Sequence, residues 1–311
     1  MHAYLLTVSP DWTNPARVVI GSILKIDPTA YVYVYTFDPD VSSMLNSTFS
    51  GGNLKCVVLE DRPFVFSTWF SETYGKPNYM ALRVLALDHL LKNDSVEKIL
   101  YLDTDTLPMS GMLDIWEENT HGKALSAVRD IGRSSKEAYG HISKFTYDDW
   151  FDRFNGGVML FDLQVIRSMY PDGLELTENS YAEYRLADQD FLFDKFKHSL
   201  WYLPYQYNYF GDPRAKRAIR FDYMLSGLVY SAKSSRVIHF VGPCKPWIRS
   251  IRLDRNITIL HRLIALPYHL YYERCLELSH LLDEDFLDGV KQFYNQIGRI
   301  SRSLIHCYGN S

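Results

Sequence analysis

The feature that most constrains the fold is an alternation of apolar runs and helical patterns over the first 105 residues. Continuous apolar or β-branched runs predict buried strands at 3–8, 31–37, 54–59 and 98–102. A helix begins at Asn14-Pro15, where Asn suits a cap and Pro the first turn, and another helical pattern covers 79–91. Strands that alternate with helices in this way predict an α/β fold with a mainly parallel sheet.

The rest of the chain divides into two parts. Apolar runs predict further strands at 124–128, 157–163 and 237–240, and helical spacing predicts a helix at 189–197. From residue 251 onward, apolar residues recur at the spacing of amphipathic helices. We therefore expect an α/β domain over residues 1–250 and a helical C-terminal extension over 251–311.

Composition excludes several classes of function. The 311 residues carry a net charge of −4 and no basic run, which argues against a nucleic-acid partner. The four cysteines lie far apart and lack zinc-site spacing. No apolar run is long enough to cross a bilayer, and the N-terminus lacks the pattern of a signal peptide. The sequence thus predicts a cytoplasmic protein without a transmembrane span.

Two carboxylates, Asp103 and Asp105, follow the apolar strand at 98–102. Ligands of parallel sheets bind at the carboxyl ends of strands, and two carboxylates there can share one Mn²⁺ or Mg²⁺ ion. Such an ion could neutralise a diphosphate leaving group. A solvated turn is one alternative. Another is a phosphohydrolase of the haloacid dehalogenase type with Asp103 as nucleophile, although about a hundred residues precede a motif that usually opens that fold.

A second group of candidates lies at the end of the strand at 237–240 and directly after it. His239 could supply an imidazole ligand to the same metal, or it could be a core histidine. Gly242 would permit close approach of a phosphate to the backbone, and Lys245 would offer it a point charge. An ordinary turn is the alternative for these two residues.

Five further polar positions are candidates for ligand contact. Asn155 precedes two glycines and a strand, so its amide could bind hydroxyl groups or simply form a turn. Asp188 and the adjacent Gln189 could line a ligand pocket, or Asp188 could be a helix N-cap. Arg83 lies on the helix at 79–91 and Asp130 after the strand at 124–128, and solvent exposure is the alternative for both.

Taken together, these segments resemble glycosyltransferase family 8. The resemblance covers about residues 1–250 and rests on four motifs in the family's order: Tyr101-Leu102-Asp103-Thr104-Asp105, Phe154-Asn155-Gly156-Gly157-Val158, Asp188-Gln189-Asp190 and His239-Phe240-Val241-Gly242-Pro243-Cys244-Lys245-Pro246-Trp247. It implies a GT-A fold, in which a Rossmann-like sheet is flanked by helices. It also implies a retaining transferase that moves glucose or galactose from a UDP-sugar to a glycan or glycolipid acceptor such as lipopolysaccharide core.

The same resemblance implies roles for individual residues. Mn²⁺ would be held by Asp103, Asp105 and His239, and the diphosphate would be contacted by Gly242 and Lys245. Asp188 and Gln189 would be the catalytic positions beside the donor sugar. The remaining donor-binding positions would be Thr7, Val8, Ser9, Arg83, Asp103, Thr104, Asp130 and Asn155. Many bacterial members carry acidic residues directly after the first strand, where this chain has Ser9-Pro10-Asp11.

Mechanism and acceptor follow as expectations. Retention in glycosidases uses a carboxylate nucleophile, whereas Gln189 is an amide, so we expect a front-face displacement. A binding protein without turnover is the alternative. An apolar, Tyr-rich stretch at 257–272 with nearby basic residues predicts weak peripheral membrane contact, or else packing on the catalytic domain; the basic residues are Lys245, Arg249, Arg252, Arg255 and Arg262. Asp283-Glu284-Asp285 is predicted to be a solvated helix face.

Overall fold

A computed structural model of the chain describes residues 1–51, 53–67, 71, 78–130, 152–184, 186–210, 234–241, 245–247 and 260–308. The chain forms two compact units. The first comprises Met1–Thr13, Asp27–Thr104 and Asp114–Pro204. The second comprises Asn14–Ile26, Asp105–Leu113 and Tyr205–Ser311. The domain boundary expected near residue 250 stays a prediction.

The described strands are β1 (Ala3–Thr7), β2 (Tyr31–Thr36), β3 (Leu54–Val58), β4 (Lys98–Leu102), β5 (Thr106–Pro108), β6 (Leu125–Arg129), β7 (Phe154–Asp162), β8 (Leu200–Tyr202), β9 (Tyr209–Phe210) and β10 (Val237–His239). The described α-helices are α1 (Thr13–Ile26), α2 (Pro39–Thr48), α3 (Asn78–Asn93), α4 (Leu163–Met169), α5 (Ala187–Phe196), α6 (Leu260–Glu277) and α7 (Glu284–Tyr308).

The first unit is built on a seven-stranded sheet with the order β3-β2-β1-β4-β7-β6-β8. Every neighbouring pair in it is parallel except the two pairs made by β7, which runs antiparallel to β4 and β6. The predicted α/β class and mainly parallel sheet are therefore confirmed. Strand β7 is buried along all but its last residue, as a central strand covered on both faces must be.

Strand register brings three segments to one edge of this sheet. Leu5 of β1 lies opposite Tyr101 of β4, and the two strands are parallel, so Thr7 and Asp103 lie at the same edge. Strand β7 runs the other way and pairs Val158 with Leu102, so its first residues lie at that edge too. The end of β1, the end of β4 and the start of β7 thus meet where ligands of parallel sheets bind.

Local sequence explains the start of α2 but not that of α5. Helix α2 is capped by Asp38, whose carboxylate accepts the backbone N–H of Asp40 at 2.8 Å, and Pro39 occupies its first turn. Helix α5 begins at Ala187, two residues before the predicted start, and its N-cap is Leu186. The N-cap alternative for Asp188 was therefore wrong, because Asp188 lies within the first turn.

The second unit contains a three-stranded sheet in the order β5-β10-β9, together with α1, α6 and α7. Apolar residues of all three helices share one core that includes Val18, Tyr271 and Phe293. Glycine at position 21 lets α1 approach closely, since a Cβ there would lie 2.9 Å from Cδ1 of Leu278.

Ion pairs also join α1 to the C-terminal segment of this unit. Arg17 Nη1 lies 2.9 Å from Asp283 Oδ1, and Lys25 Nζ lies 2.7 Å from Glu277 Oε2. Asp283 was predicted to belong to a solvated helix face, whereas in the structure it forms an ion pair with Arg17. Arg249, Arg252 and Arg255 of the predicted membrane contact lie outside the described residues, whereas Arg262 lies within α6. No helix in the described part of the chain combines the length and apolarity that a membrane span requires.

Candidate active site

A single guanidinium group, that of Arg83 on α3, joins the end of β4, the start of β7 and the first turn of α5. Its Nε lies 2.5 Å from Oδ2 of Asp188, and its Nη2 lies 3.4 Å from Oδ1 of Asp103. Its Nη1 donates a hydrogen bond of 2.5 Å to the carbonyl oxygen of Gly156. Arg83 was predicted from its place on a helix and from the family resemblance, and the structure brings it to Asp103 after β4, to Asp188 on α5 and to the start of β7.

Glycine at position 156 makes this approach possible. A Cβ at Gly156 would lie 2.5 Å from Nη1 of Arg83 and 3.3 Å from Oε1 of Gln189. Both distances are shorter than ordinary van der Waals contact. The requirement for glycine at this position is thus steric, because a side chain would occupy the space that Arg83 uses.

The amide of Gln189 is fixed at both ends by the start of β7. Its Nε2 donates to the carbonyl oxygen of Phe154 at 2.7 Å, and its Oε1 accepts the backbone N–H of Gly156 at 3.2 Å. An amide oxygen has two lone pairs, so Oε1 keeps acceptor capacity in a fixed direction. Gln189 therefore presents an oriented dipole at this edge.

Tyr101 links two predicted site residues, although its sequence position did not single it out. Its hydroxyl donates to Oδ1 of Asp103 at 2.6 Å and shares a hydrogen bond of 3.1 Å with Oγ1 of Thr7. Burial raises the pKa of Tyr101 well above its ordinary value, so the hydroxyl remains a donor. Its ring lies 4.9 Å from the guanidinium carbon of Arg83. The signal was available, since residues two apart on a strand share a face.

Two buried carboxylates on α5 are each paired with an arginine. Burial raises the pKa of Asp188 to about 6, while the neighbouring Arg83 charge opposes this rise. Asp190 Oδ1 lies 2.6 Å from Nη1 of Arg153, and both side chains are almost fully buried. The other oxygen of Asp190 accepts the backbone N–H of Leu186 at 2.9 Å. The acidic motif on α5 is therefore held by charges on α3 and just before β7.

The second unit brings together Asp105, His239 and Lys245. His239 Nε2 lies 3.1 Å from Asp105 Oδ1, and the Lys245 ammonium binds Oδ2 of the same carboxylate and the carbonyl oxygen of Phe240. Burial alone would raise the pKa of Asp105, but Lys245 and His239 outweigh it and lower that pKa below its ordinary value. Asp105 is thus an ionised carboxylate next to a buried imidazole.

Asn208 orients this imidazole, and no local sequence pattern pointed to it. Its side-chain oxygen lies 2.9 Å from Nδ1 of His239, and the residue is fully buried. When Nδ1–H donates to this oxygen, Nε2 of a neutral ring directs its lone pair towards Asp105. Two acceptor atoms at 3.1 Å then face each other, an arrangement that a shared proton or cation stabilises.

The main chain of Asp103 is held at the end of β4, because its backbone N–H donates to the carbonyl oxygen of Gly157 at 2.9 Å. Asp105 follows two positions later in the sequence, after Thr104.

The remaining predicted donor-binding residues have local structural contacts, and their functional roles stay predictions. The backbone N–H of Val8 donates to Tyr35, that of Trp12 to Ser9, and that of Asp130 to Arg153, each within 3.0 Å. Asn155 Oδ1 accepts the N–H of Gly157 at 3.0 Å, within β7. Thr104 is buried. Gly242 lies outside the described residues.

Comparisons with curated proteins find two relatives in sequence. Among curated relatives, general stress protein A of Bacillus subtilis (strain 168) is 23% identical over 172 residues, which cover 52% of this chain and 57% of that protein. The lipopolysaccharide 1,2-glucosyltransferase of Escherichia coli (strain K12) is 22% identical over 197 residues, which cover 63% of this chain and 53% of that protein. The chain thus spans little more than half the length of these curated relatives.

Solved structures share the fold. The bifunctional glycosyltransferase WbbM has a TM-score of 0.59 at 16% identity, over 88% of this chain and 51% of that one. The galactosyltransferase LgtC, solved with donor and acceptor sugar analogues, has a TM-score of 0.56 at 19% identity, over 85% of this chain and 94% of that one. These likenesses establish a GT-A fold, as predicted. Because the family model described as glycosyl transferase family 8 matches residues 5–250, the chain belongs to that family, as its resemblance predicted.

Proposed function

We propose that the protein is a metal-dependent, retaining hexosyltransferase. It would transfer glucose or galactose from a UDP-sugar to a glycan or glycolipid acceptor such as lipopolysaccharide core. Family membership supports sugar transfer, and it removes the phosphohydrolase alternative. The names of two similar proteins, a lipopolysaccharide glucosyltransferase and a galactosyltransferase, motivate the choice of hexose and acceptor.

The observation that carries the metal requirement is the contact of His239 Nε2 with Asp105 Oδ1 at 3.1 Å. Asp103, Asp105 and His239 offer two carboxylate oxygens and one imidazole nitrogen, a set that suits Mn²⁺ and, less well, Mg²⁺. When bound, the ion would supply positive charge to the diphosphate of the donor. Lys245, already on Asp105, is the chain's own cation for the same diphosphate.

The first unit supplies the groups expected around the donor sugar. Arg83 and Asp188 form a buried pair whose positions are set by Gly156 and Asp103. Their rigidity favours a fixed orientation of the sugar, because groups that are already ordered need no reorganisation during reaction. The Gln189 dipole would stabilise positive charge at the anomeric carbon with the free lone pair of its Oε1.

The same contacts favour a front-face displacement. The acceptor oxygen would bond to the anomeric carbon as the bond from that carbon to the diphosphate breaks. A phosphate oxygen of the departing UDP would take the acceptor proton. The two carboxylates beside Gln189 are each paired with an arginine, Asp188 with Arg83 and Asp190 with Arg153, which disfavours either as a nucleophile.

Donor turnover is tested by UDP release. The protein is incubated with UDP-glucose or UDP-galactose, with Mn²⁺, with Mg²⁺ or with chelator, and UDP is quantified. We expect release with one hexose donor that requires the metal and stops with chelator. Release that is unaffected by chelator would contradict the metal requirement. Binding of UDP-sugar without release from any donor, even with an acceptor array present, would identify a binding protein.

Stereochemistry and the site of transfer need separate measurements. Proton NMR of the product should show the anomeric configuration of the donor. Mass spectrometry of the protein after incubation should show no hexose on Asp188 or Asp190, and an adduct on either would refute the front-face displacement. Hexose attached to another residue would instead indicate self-glucosylation of the kind that glycogenin performs.

A further inference from the structure

Arg153 and Asp190 form the most deeply buried ion pair among the described residues of the first unit. Their side chains are only 3% and 1% exposed, and the Nη1–Oδ1 distance is 2.6 Å. Replacing a buried pair by apolar groups is often neutral or stabilising, so such a pair is weak evidence of a role in stability. Its location therefore matters more than its strength.

The pair joins the two segments that hold Gln189. Arg153 directly precedes β7, and Asp190 follows Gln189 on α5. Gln189 itself is bonded to the backbone of Phe154 and Gly156, which are the next residues along β7. The main chain of Arg153 is anchored as well, because its carbonyl oxygen accepts the N–H of Asp130 at 2.9 Å.

We propose that the Arg153–Asp190 pair positions the first turn of α5 against the start of β7, and so fixes Gln189 and Asp188 for the transfer reaction. The pair touches no reacting atom in this scheme, so both are positioning residues. The inference rests on the proposed function of Gln189. A displacement of about 1 Å at reacting groups costs on the order of a hundredfold in rate, which sets the size of the expected effect.

The test compares single and double substitutions. Arg153→Met alone removes the arginine charge from beside a buried carboxylate, so its melting temperature should fall markedly. The double variant Arg153→Met/Asp190→Asn removes both charges, and an asparagine oxygen can still accept the N–H of Leu186. We expect the double variant to melt close to the wild type. The matched control is Arg17→Met/Asp283→Asn, which removes an Arg–Asp pair from the second unit.

Donor turnover is measured by UDP release for the wild type, the single and double variants, the control and Arg153→Lys. We expect kcat of the double variant to fall on the order of a hundredfold with little change in donor KM, whereas the control keeps wild-type kcat. Arg153→Lys, which retains the charge but not the planar fork, should recover part of the loss. Wild-type kcat in a folded double variant would overturn the proposal and leave the pair a purely structural role.

A second measurement separates this proposal from the proposed function. Hydrogen exchange at the backbone N–H of Gly156 reports the bond to Gln189 directly and needs no activity. We expect faster exchange there in the double variant and not in the control. If the wild type turns over no donor, the proposed function fails, and unchanged exchange at Gly156 would refute the positioning role independently.

Discussion

Gly156→Ala is the sharpest probe of the site. The new Cβ would lie 2.5 Å from Nη1 of Arg83, whereas ordinary contact begins at 3.4 Å, so the guanidinium must retreat by about 1 Å. Arg83 pairs with Asp188 and Asp103 through the same group, so this retreat disturbs both carboxylates. A displacement of this size costs on the order of a hundredfold in kcat, or about 2.7 kcal/mol in the activation barrier.

Stability should respond differently from activity. The clashing atom is the end of a flexible side chain, so the backbone can stay in place while Arg83 moves. Replacing Gly by Ala also removes conformational freedom from the unfolded chain, worth about 0.4–1 kcal/mol. We therefore expect the melting temperature of Gly156→Ala to stay close to that of the wild type.

The assay is UDP release from the preferred donor, with kcat and KM determined at saturating metal and melting followed in the same buffer. Gly51→Ala is the matched control, because a Cβ there would meet nothing within 4 Å. Wild-type kcat in Gly156→Ala would refute the view that Arg83 must occupy this position. Loss of folding in Gly156→Ala would show instead that the side chain cannot move aside.

Three further predictions concern metal affinity, pH and stability. Asn208→Leu removes the acceptor of His239 Nδ1, so Mn²⁺ affinity by calorimetry without donor should fall about 10- to 100-fold; unchanged affinity would argue against orientation by Asn208. Burial raises the pKa of Asp188 from 3.8 to about 6, so ionisation costs stability. Compared with that of Asp188→Asn, the free energy of unfolding of the wild type should be highest below about pH 4 and should fall by about 3 kcal/mol as the pH rises through 6. Urea unfolding of both proteins at several pH values measures this difference. Parallel pH profiles of the two proteins would contradict the prediction. The guanidinium of Arg167 donates to four carbonyl oxygens at the end of α3, those of Leu90, Leu91, Asp94 and Val96. Arg167→Met should therefore lower the free energy of unfolding in urea by about 2–4 kcal/mol. A loss below about 1 kcal/mol would refute the view that Arg167 caps this helix end.

Local patterns predicted the elements that depend on local chemistry. Strand β4 has the predicted limits, Lys98–Leu102, because its apolar run ends abruptly at Asp103. Helix α2 was not predicted, although Asp38-Pro39 is a recognisable start signal. Strand β7 begins three residues before its predicted start, since Asn155-Gly156 looks like a turn by residue type. Long-range pairing determines where this strand begins, because Phe154 lies opposite Arg129 on β6.

The same contrast between local sequence and long-range contacts applies to the site residues. Their positions in short motifs were enough to make Asp103, Asp105 and Gln189 candidates. Asn208 and Arg153 could not be found in this way, because their partners lie 31 and 37 positions further along the chain. The helix-cap alternative for Asp188 fails for a related reason: its carboxylate is taken up by an arginine from another helix.

The packing of α1 has a consequence for the order in which the protein can fold during synthesis. Arg17 must wait for Asp283, which is made 266 residues later. At roughly 5–20 residues per second, that delay is on the order of 13 to 50 s. Until then, Val18 and Gly21 lack the C-terminal residues against which they pack in the folded protein. During that interval the surface of α1 that packs against α6 and α7 is uncovered, the kind of apolar surface that chaperones recognise.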